Sequence, residues 1–362
     1  MDSTSLFSII HPQVLNPRVA RIVSAFLRNI LRMPRLHTAR FSGIIMEQAH
    51  LALLFQSNNL HTLILSRCGL CTILGLPLPR IRHLTLLWIP VDDWPHMVSL
   101  FGHCSANLET LDLIGELGQV PGSTRLPIFP KLRNLKLMIA LVSTDHIGRF
   151  VHLTPQLEHL EIWGHHPIPR MPALPAGLNR LTINGWMIGQ ASFDPLPHLH
   201  LSHLRIKGYS IVRGVRDDNS YSKIIIPIIQ HVFPNLTSLE VDIYYHSRDF
   251  ALSVARSLPN VTRLQLNVLA ALYPLYDNDT SWYFAETPEG PLSHLYVNAT
   301  AQMLGVELLQ KWIICTVLQP PLRLGGPHLQ EVNMVFPKPG TEILNVWWCW
   351  KQVKEEWFFE QY

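Results

Sequence analysis

A short apolar pattern, L-x-x-L-x-L-x-x-C, constrains this chain more than any other feature. Asn59–Cys68, NLHTLILSRC, shows it whole: Leu60, Leu63 and Leu65 fill the first, fourth and sixth places and Cys68 the ninth. One hexad means nothing, but this one recurs in the same form down the chain. The series opens with a degenerate Leu36-Ala39-Phe41. It continues through Leu60-Leu63-Leu65, Ile81-Leu84-Leu86, Leu108-Leu111-Leu113, Leu132-Leu135-Leu137 and Leu157-Leu160-Ile162. Then come Leu178-Leu181-Ile183, Leu201-Leu204-Ile206, Leu236-Leu239-Val241, Val261-Leu264-Leu266, Leu292-Leu295-Val297 and Leu329-Val332-Met334. The first eight hexads lie 21 to 27 residues apart, and the last four gaps are 35, 25, 31 and 37.

The spacing dictates local structure. The fourth and sixth positions alternate with polar neighbours, so they face one side of a short strand. Such a strand cannot bury its apolar face alone and must stack on the next. Stacked strands of one direction form a parallel sheet, and parallel strands need a crossover between them. Pro34, Pro79, Pro130, Pro155, Pro234, Pro259 and Pro327 each stand two residues before a first hexad position. There proline ends the crossover at a fixed point. Periods of about 20–29 residues with this hexad mark leucine-rich repeats. The expected fold class is therefore α/β: a leucine-rich-repeat solenoid with a curved parallel sheet on its concave face and helices and loops on its convex face.

The expected organisation has three parts. Residues 1–35 form an N-terminal capping helix or partial repeat, opened by Asn16-Pro17 as N-cap and first helical residue. Residues 36–336 form about a dozen irregular repeats. Residues 337–362 form an aromatic cap helix, because Trp347, Trp350, Val353 and Trp357 fit helical spacing and terminal repeats need caps. Crossover helices are expected at about 44–56, 92–104, 144–152, 222–232, 247–257 and 300–318. Between Ile162 and Leu201, proline-rich segments replace helices. Residues 115–127, 208–221 and 270–291 read as insertions in loops, where function often sits.

Composition narrows the partners. The 362 residues are 48% apolar and 15% charged, with a net charge of +3 and a pI of about 8.6. That balance, without a dense Lys/Arg run, argues against nucleic acid and anionic membranes. No secretory signal pattern or membrane-length apolar run appears. The five cysteines, Cys68, Cys71, Cys104, Cys315 and Cys349, are an odd, sparse set. These features fit a cytoplasmic or nuclear setting.

Chemistry-bearing motifs are weak. Cys68 and Cys71 form a C-x-x-C without a second pair or a redox context, and Cys68 fills the ninth repeat position. His198, His200 and His203 are split by hexad phase, so a shared metal is not expected. His165-His166, Asp217-Asp218 and Asp277-Asn278-Asp279 read as loops. The N-x-T triplets at Asn235, Asn260, Asn278 and Asn298 read as coincidence without a signal. No phosphate-cradling loop, nucleophile elbow or zinc helix is present. The chain is therefore not expected to be an enzyme or to hold a cofactor or metal.

The residues between the hexad leucines are left to face outward. They form a polar strip of mixed sign, suited to a folded protein or peptide surface. Arg180, His203, Arg205, Arg263 and Tyr296 are the expected protein contacts, since Arg and Tyr are enriched at hot spots. Charge reversal at Arg205 and Arg263 is expected to weaken capture and leave folding intact.

The hexads, their proline-led strand starts (FPKL, TPQL, FPNL, LPNV) and the irregular period resemble the repeat region of fungal F-box/leucine-rich-repeat proteins, over residues 30–336. That resemblance implies a substrate-recognition receptor for a cullin–RING ubiquitin ligase, with repeats that capture substrates and an F-box that docks on the ligase adaptor. Residues 1–30 show no L-P-x-E-like F-box start, so adaptor docking would need an F-box upstream. The alternative is a stand-alone repeat scaffold or inhibitor with no ligase role.

Overall fold

The computed structural model describes residues 35–71, 73, 75–76, 78–90, 93–115, 125–139, 144–164, 171–184, 201–207, 218–243, 257–268, 294–299, 331–337, 345–353 and 356–361, with residues 22, 25, 26, 29 and 254. The chain divides into two compact units, Met1–Leu178 and Asn179–Tyr362, where the hexads were expected to form one domain.

In the first unit each hexad from Leu36 to Leu157 builds one strand. These are β1 (Thr38–Ser42), β3 (Thr62–Ser66), β5 (His83–Leu87), β6 (Thr110–Gly115), β7 (Asn134–Ile139) and β8 (His159–Trp163). They pair in that order, all parallel and without slip. The fourth hexad positions form one row, Ala39–Leu63–Leu84–Leu111–Leu135–Leu160, and the sixth positions another. From Leu63 to Ile162 these side chains are at most 2% exposed. Burial of each such leucine contributes about 1.5–3 kcal/mol.

The crossovers complete this core. Helices α1 (Gln48–Phe55), α2 (Trp94–Cys104) and α3 (Thr144–His152) lie between strands in the chain. Phe101 of α2 meets Trp94, Phe129 and Phe150 edge-to-face at 6.0–6.4 Å between ring centroids. Extended segments are tied to α2 by side chains. Asp93 accepts the Leu70 N–H at 2.8 Å, and Ser99 bonds both the N–H and the carbonyl of Ile73. Helix α3 spans the residues expected, but α1 begins at Gln48 rather than near 44. Ile45–Met46 instead forms a short strand, β2, paired with β4 (Gly69–Leu70).

Strand ends follow the repeat phase too. The carbonyl of each second hexad residue takes two N–H groups from the next strand, as when His37 accepts from His61 and Thr62. At the eighth position the backbone turns to positive φ, at Gly43 (67°), Arg67 (52°), Trp88 (53°) and Gly115 (142°). The N–H of Gly43, Arg67 and Trp88 then bonds the carbonyl of Ser66, Leu87 and Ile114 on the next strand. This ladder holds Arg67 and Trp88 in a conformation that L side chains disfavour.

The second unit repeats the arrangement. Strands β9 (Arg180–Asn184), β10 (His203–Lys207), β11 (Ser238–Ile243), β12 (Arg263–Val268), β13 (His294–Ala299) and β14 (Glu331–Pro337) pair parallel in sequence order. Helix α4 (Asp218–Val232) buries Ile225, Ile226, Ile229 and Val232 and carries Pro227 within it. Its first turn takes the last residues of the polar loop expected at 208–221.

The cap helix expected at 337–362 is not formed. Asn345–Val353 and Glu356–Gln361 are strands, β15 and β16, that add antiparallel to β14. Aromatic-rich NVWWCWKQV and EWFFEQ suit a pleated strand better than a helix. Ile22, Ala25, Phe26 and Asn29 are helical, as expected for the N-terminus, and so are Val254 and Ser257 in the 247–257 crossover. The helix expected at 300–318 and the insertion at 270–291 lie outside the described residues. No helix among the described residues is long and apolar enough to cross a membrane.

Two glycines test this account. A Cβ at Gly115 would lie 2.9 Å from the Trp88 Cα, whereas one at exposed Gly102 in α2 meets nothing within 4 Å. Gly115→Ala is expected to cost about 1–3 kcal/mol. Gly102→Ala is expected to gain roughly 0.5–1 kcal/mol from helix propensity. Urea unfolding of the two variants checks both signs.

Candidate functional site

The residues that alternate with the buried leucines share the opposite face of each sheet. In the second unit the third hexad positions align as Arg180, His203, Ser238, Arg263 and His294. The fifth positions align as Thr182, Arg205, Glu240, Gln265 and Tyr296. All five expected contacts therefore fall on two adjacent rows. The side chain of Tyr296 lies outside the described residues.

Glu240 organises the face around it. It is only 5% exposed, so its carboxylate must be satisfied locally. The Arg205 Nε lies 3.1 Å from Oε1, the Asn267 amide donates to the same oxygen at 2.8 Å, and the Gln265 amide donates at 3.2 Å. His203 Nε2 stands 3.9 Å from Oε2, while its Nδ1 is 2.9 Å from the Ser238 hydroxyl. Asn267 also donates to Asp242 at 2.7 Å, and Gln265 to the Asn267 carbonyl oxygen at 3.1 Å. Asn267 is thereby fixed as a donor between two acids, and Gln265 as a donor to one acid and to the Asn267 side chain.

The structure thus brings His203 and Arg205 together on Glu240, while Arg180 and Arg263 are exposed. The expectation that charge reversal at Arg205 spares folding needs correction. A carboxylate there would face buried Glu240 and remove its cation. Glu240, Gln265, Asn267 and Asp242 were missed as members of a network. Their signal was hexad phase, since each aligns by register with Arg205 or Lys207.

The first unit carries a second polar group on its own open face. Thr85 donates to Asp112 at 3.4 Å, and Lys136 pairs with Glu161 at 3.4 Å. Burial pushes the Asp112 carboxyl above its usual pKa, against the pull of the Lys136 ammonium and the Thr85 hydroxyl.

Among the described residues no cluster of three or more His, Cys, Asp or Glu is placed to hold a metal. Cys68 is buried and its thiol lies 3.4 Å from the Ser66 carbonyl oxygen. Burial raises the thiol pKa of Cys68 and Cys71, which keeps both protonated. Asn260 of an N-x-T triplet ties its amide to the Pro234 carbonyl at 2.8 Å. His165, His166, His198, His200, Asp217 and 277–279 lie outside the described residues. What the two faces offer is fixed donors and acceptors flanked by exposed cations.

No protein-family model matches this chain, and comparison with curated proteins finds no match.

Two predictions follow the electrostatics. Arg205→Glu is expected to destabilise by roughly 3–5 kcal/mol by leaving Glu240 buried beside a like charge. Exposed Arg263→Glu should stay within about 0.5 kcal/mol of wild type, and denaturant melts compare the two. Asp112 has the opposite sign to a paired carboxylate. Its folded pKa is raised, so the native state binds the proton more readily, and Asp112 lowers stability as pH rises above the unfolded value of 3.8. Asp112→Asn should therefore raise Tm at pH 7, and the gain should fade once the pH drops below 3.8, where Asp112 is protonated in both states.

Proposed function

We propose that the chain is a leucine-rich-repeat solenoid whose open, concave sheet face captures a protein partner. It would serve as the substrate-binding part of a cullin–RING ligase receptor of the F-box/leucine-rich-repeat kind. The observation that supports this most is the unbroken register. Among the described side chains from Ala39 to Leu264 the fourth and sixth hexad positions are buried in rows, and the intervening positions fall in rows on the opposite face. A repeated strand of this kind offers a broad surface whose side chains vary without disturbing the core.

The chemistry of that surface favours protein over other ligands. It mixes acids, amides, hydroxyls and cations, and its buried acid is already compensated. Exposed Arg180 and Arg263 stand beside this rigid network, and a fixed donor and acceptor array is what a protein surface can match. Polyanion binding would want a dense excess of cations, whereas Arg205, one of the three arginines on these rows, is already paired with Glu240.

The test is affinity purification of the full natural transcript product from its own cells, followed by mass spectrometry. Arg180→Glu/Arg263→Glu is expected to lose the partner at least tenfold, with Gln230→Glu/His231→Glu on exposed α4 positions retaining it. Equal loss from the α4 variant would sink capture by the sheet face. Recovery of the cullin adaptor with the partner supports the receptor role, and recovery of the partner without any ligase subunit makes the chain a stand-alone scaffold.

A further inference from the structure

The start of the strands in the first unit carries a charge pattern that the sheet face does not explain. The residue just before each first hexad position is, in order, Arg35, Asn59, Arg80, Asn107, Lys131 and Gln156. Cations and amides alternate, so the three cations stand on every second strand, β1, β5 and β7. Neighbouring strands lie about 4.8 Å apart, which spaces those cations by roughly 10 Å. The next row, at the second hexad position, adds Arg82 and Arg133 against Glu109 and Glu158. Together the two rows hold five cations and two acids, a net charge of +3 on one edge.

The corresponding positions from Asn179 onward hold no Asp, Glu, Lys or Arg at all. The pattern therefore does not come with the fold. It is particular to the first unit.

The middle of this edge is a recess of about 410 Å³, lined by His61, Arg80, Arg82, Asn107, Glu109 and Lys131. Its parts are held in place from below. The Asn107 amide donates to the Pro79 carbonyl at 3.2 Å, and its oxygen receives the Lys131 ammonium at 3.2 Å. Arg82 leans on Glu109 at a loose 3.8 Å, with both side chains well exposed. Among the described residues Arg80 makes no ion pair, and Lys131 bonds the neutral Asn107 rather than an acid. The recess thus keeps three cations against one carboxylate.

We infer that this strand-start edge binds an extended acidic peptide, with successive carboxylates seated at Arg80 and Lys131 and Arg82 beside the first of them. An extended chain in the polyproline II form has three residues per turn and rises about 3.1 Å per residue, so acids at every third residue share one side about 9 Å apart, close to the roughly 10 Å between Arg80 and Lys131. A guanidinium takes a carboxylate in a planar two-bond geometry, and the Asn107 and His61 side chains supply further polar partners between the charges. A peptide fits better than a nucleic acid because the edge interleaves amides and two acids with its cations, where a phosphate backbone favours continuous positive charge. The site is separate from the open sheet face and stands whether or not that face captures a partner.

Fluorescence anisotropy of the full chain tests it, with a labelled dodecapeptide carrying Glu at every third position, its Gln counterpart and a labelled single-stranded RNA as probes. The Glu peptide is expected to bind at least tenfold tighter than the Gln peptide and to weaken as salt rises. Arg80→Ala/Arg82→Ala/Lys131→Ala should weaken it at least tenfold while its circular dichroism and thermal transition stay those of wild type. Arg180→Glu/Arg263→Glu, on the open face, should leave it unchanged. Equal binding of the Glu and Gln peptides overturns the inference, as does wild-type affinity in the triple variant. Tighter binding of the RNA that is lost in the same variant overturns the peptide assignment.

Discussion

Everything in this fold depends on in-register parallel pairing of strands that are too short to be stable alone. A five-residue strand offers two leucines to the core. Moving it by one residue against its neighbour would turn both to the opposite face and bring two polar residues inward. The register is therefore enforced by burial, and the backbone reinforces it at both ends. At the start, a single carbonyl accepts two N–H groups from the next strand; at the finish of β1, β3 and β5, an eighth residue at positive φ passes its N–H onward. Trp88 is held at φ 53° because the Ile114 carbonyl takes its N–H at 2.6 Å. Between these fixed points the chain is free, since lengthening a surface loop costs little. That is why hexads 21 to 37 residues apart build strands of the same kind.

Tight stacking brings charges close as well as leucines. Side chains in one row sit about 4.8 Å from those on the next strand, where like charges repel. The rows avoid this. The fifth positions of the first unit run Arg40, Ile64, Thr85, Asp112, Lys136, Glu161, and the strand-start row separates its cations with Asn59 and Asn107. Where an acid is buried, as at Glu240, the neighbouring strands bring a guanidinium and two amides to it. Asp112 has Thr85 and Lys136 near it but not enough to offset its desolvation.

The hexads made the strands, their direction and the buried rows legible before any coordinates, because period and polarity both follow from side-chain geometry. The C-terminus misled because Trp347, Trp350 and Trp357 fit a helical spacing while Trp348 and Trp350 also alternate as in a strand. Register decides between the two, pairing Trp350 with Val332 and Trp348 with Met334, so the hexad rows continue onto β15. Hexad phase also placed Arg205, Glu240 and Gln265 side by side. What it did not disclose was which of them are spent on each other, since that depends on rotamers and distances of a few tenths of an ångström.

That distinction separates cations that hold the fold from cations that can act on a partner. Arg205 lies 3.1 Å from a buried carboxylate, and any partner that used it would compete with Glu240. Lys136 is committed to Glu161 in the same way, 3.4 Å away and with little exposure on the acid. Arg180 and Arg263 are exposed on the face. On the strand-start edge Lys131 is fixed by a neutral amide, which positions it without cancelling its charge. A charge compensated inside the fold contributes to stability and little to attraction, whereas one oriented by a neutral group keeps its full field for a ligand. By that criterion Arg80 and Lys131 of the strand-start edge, unlike the paired Lys136 of the sheet face, keep their charge for a ligand.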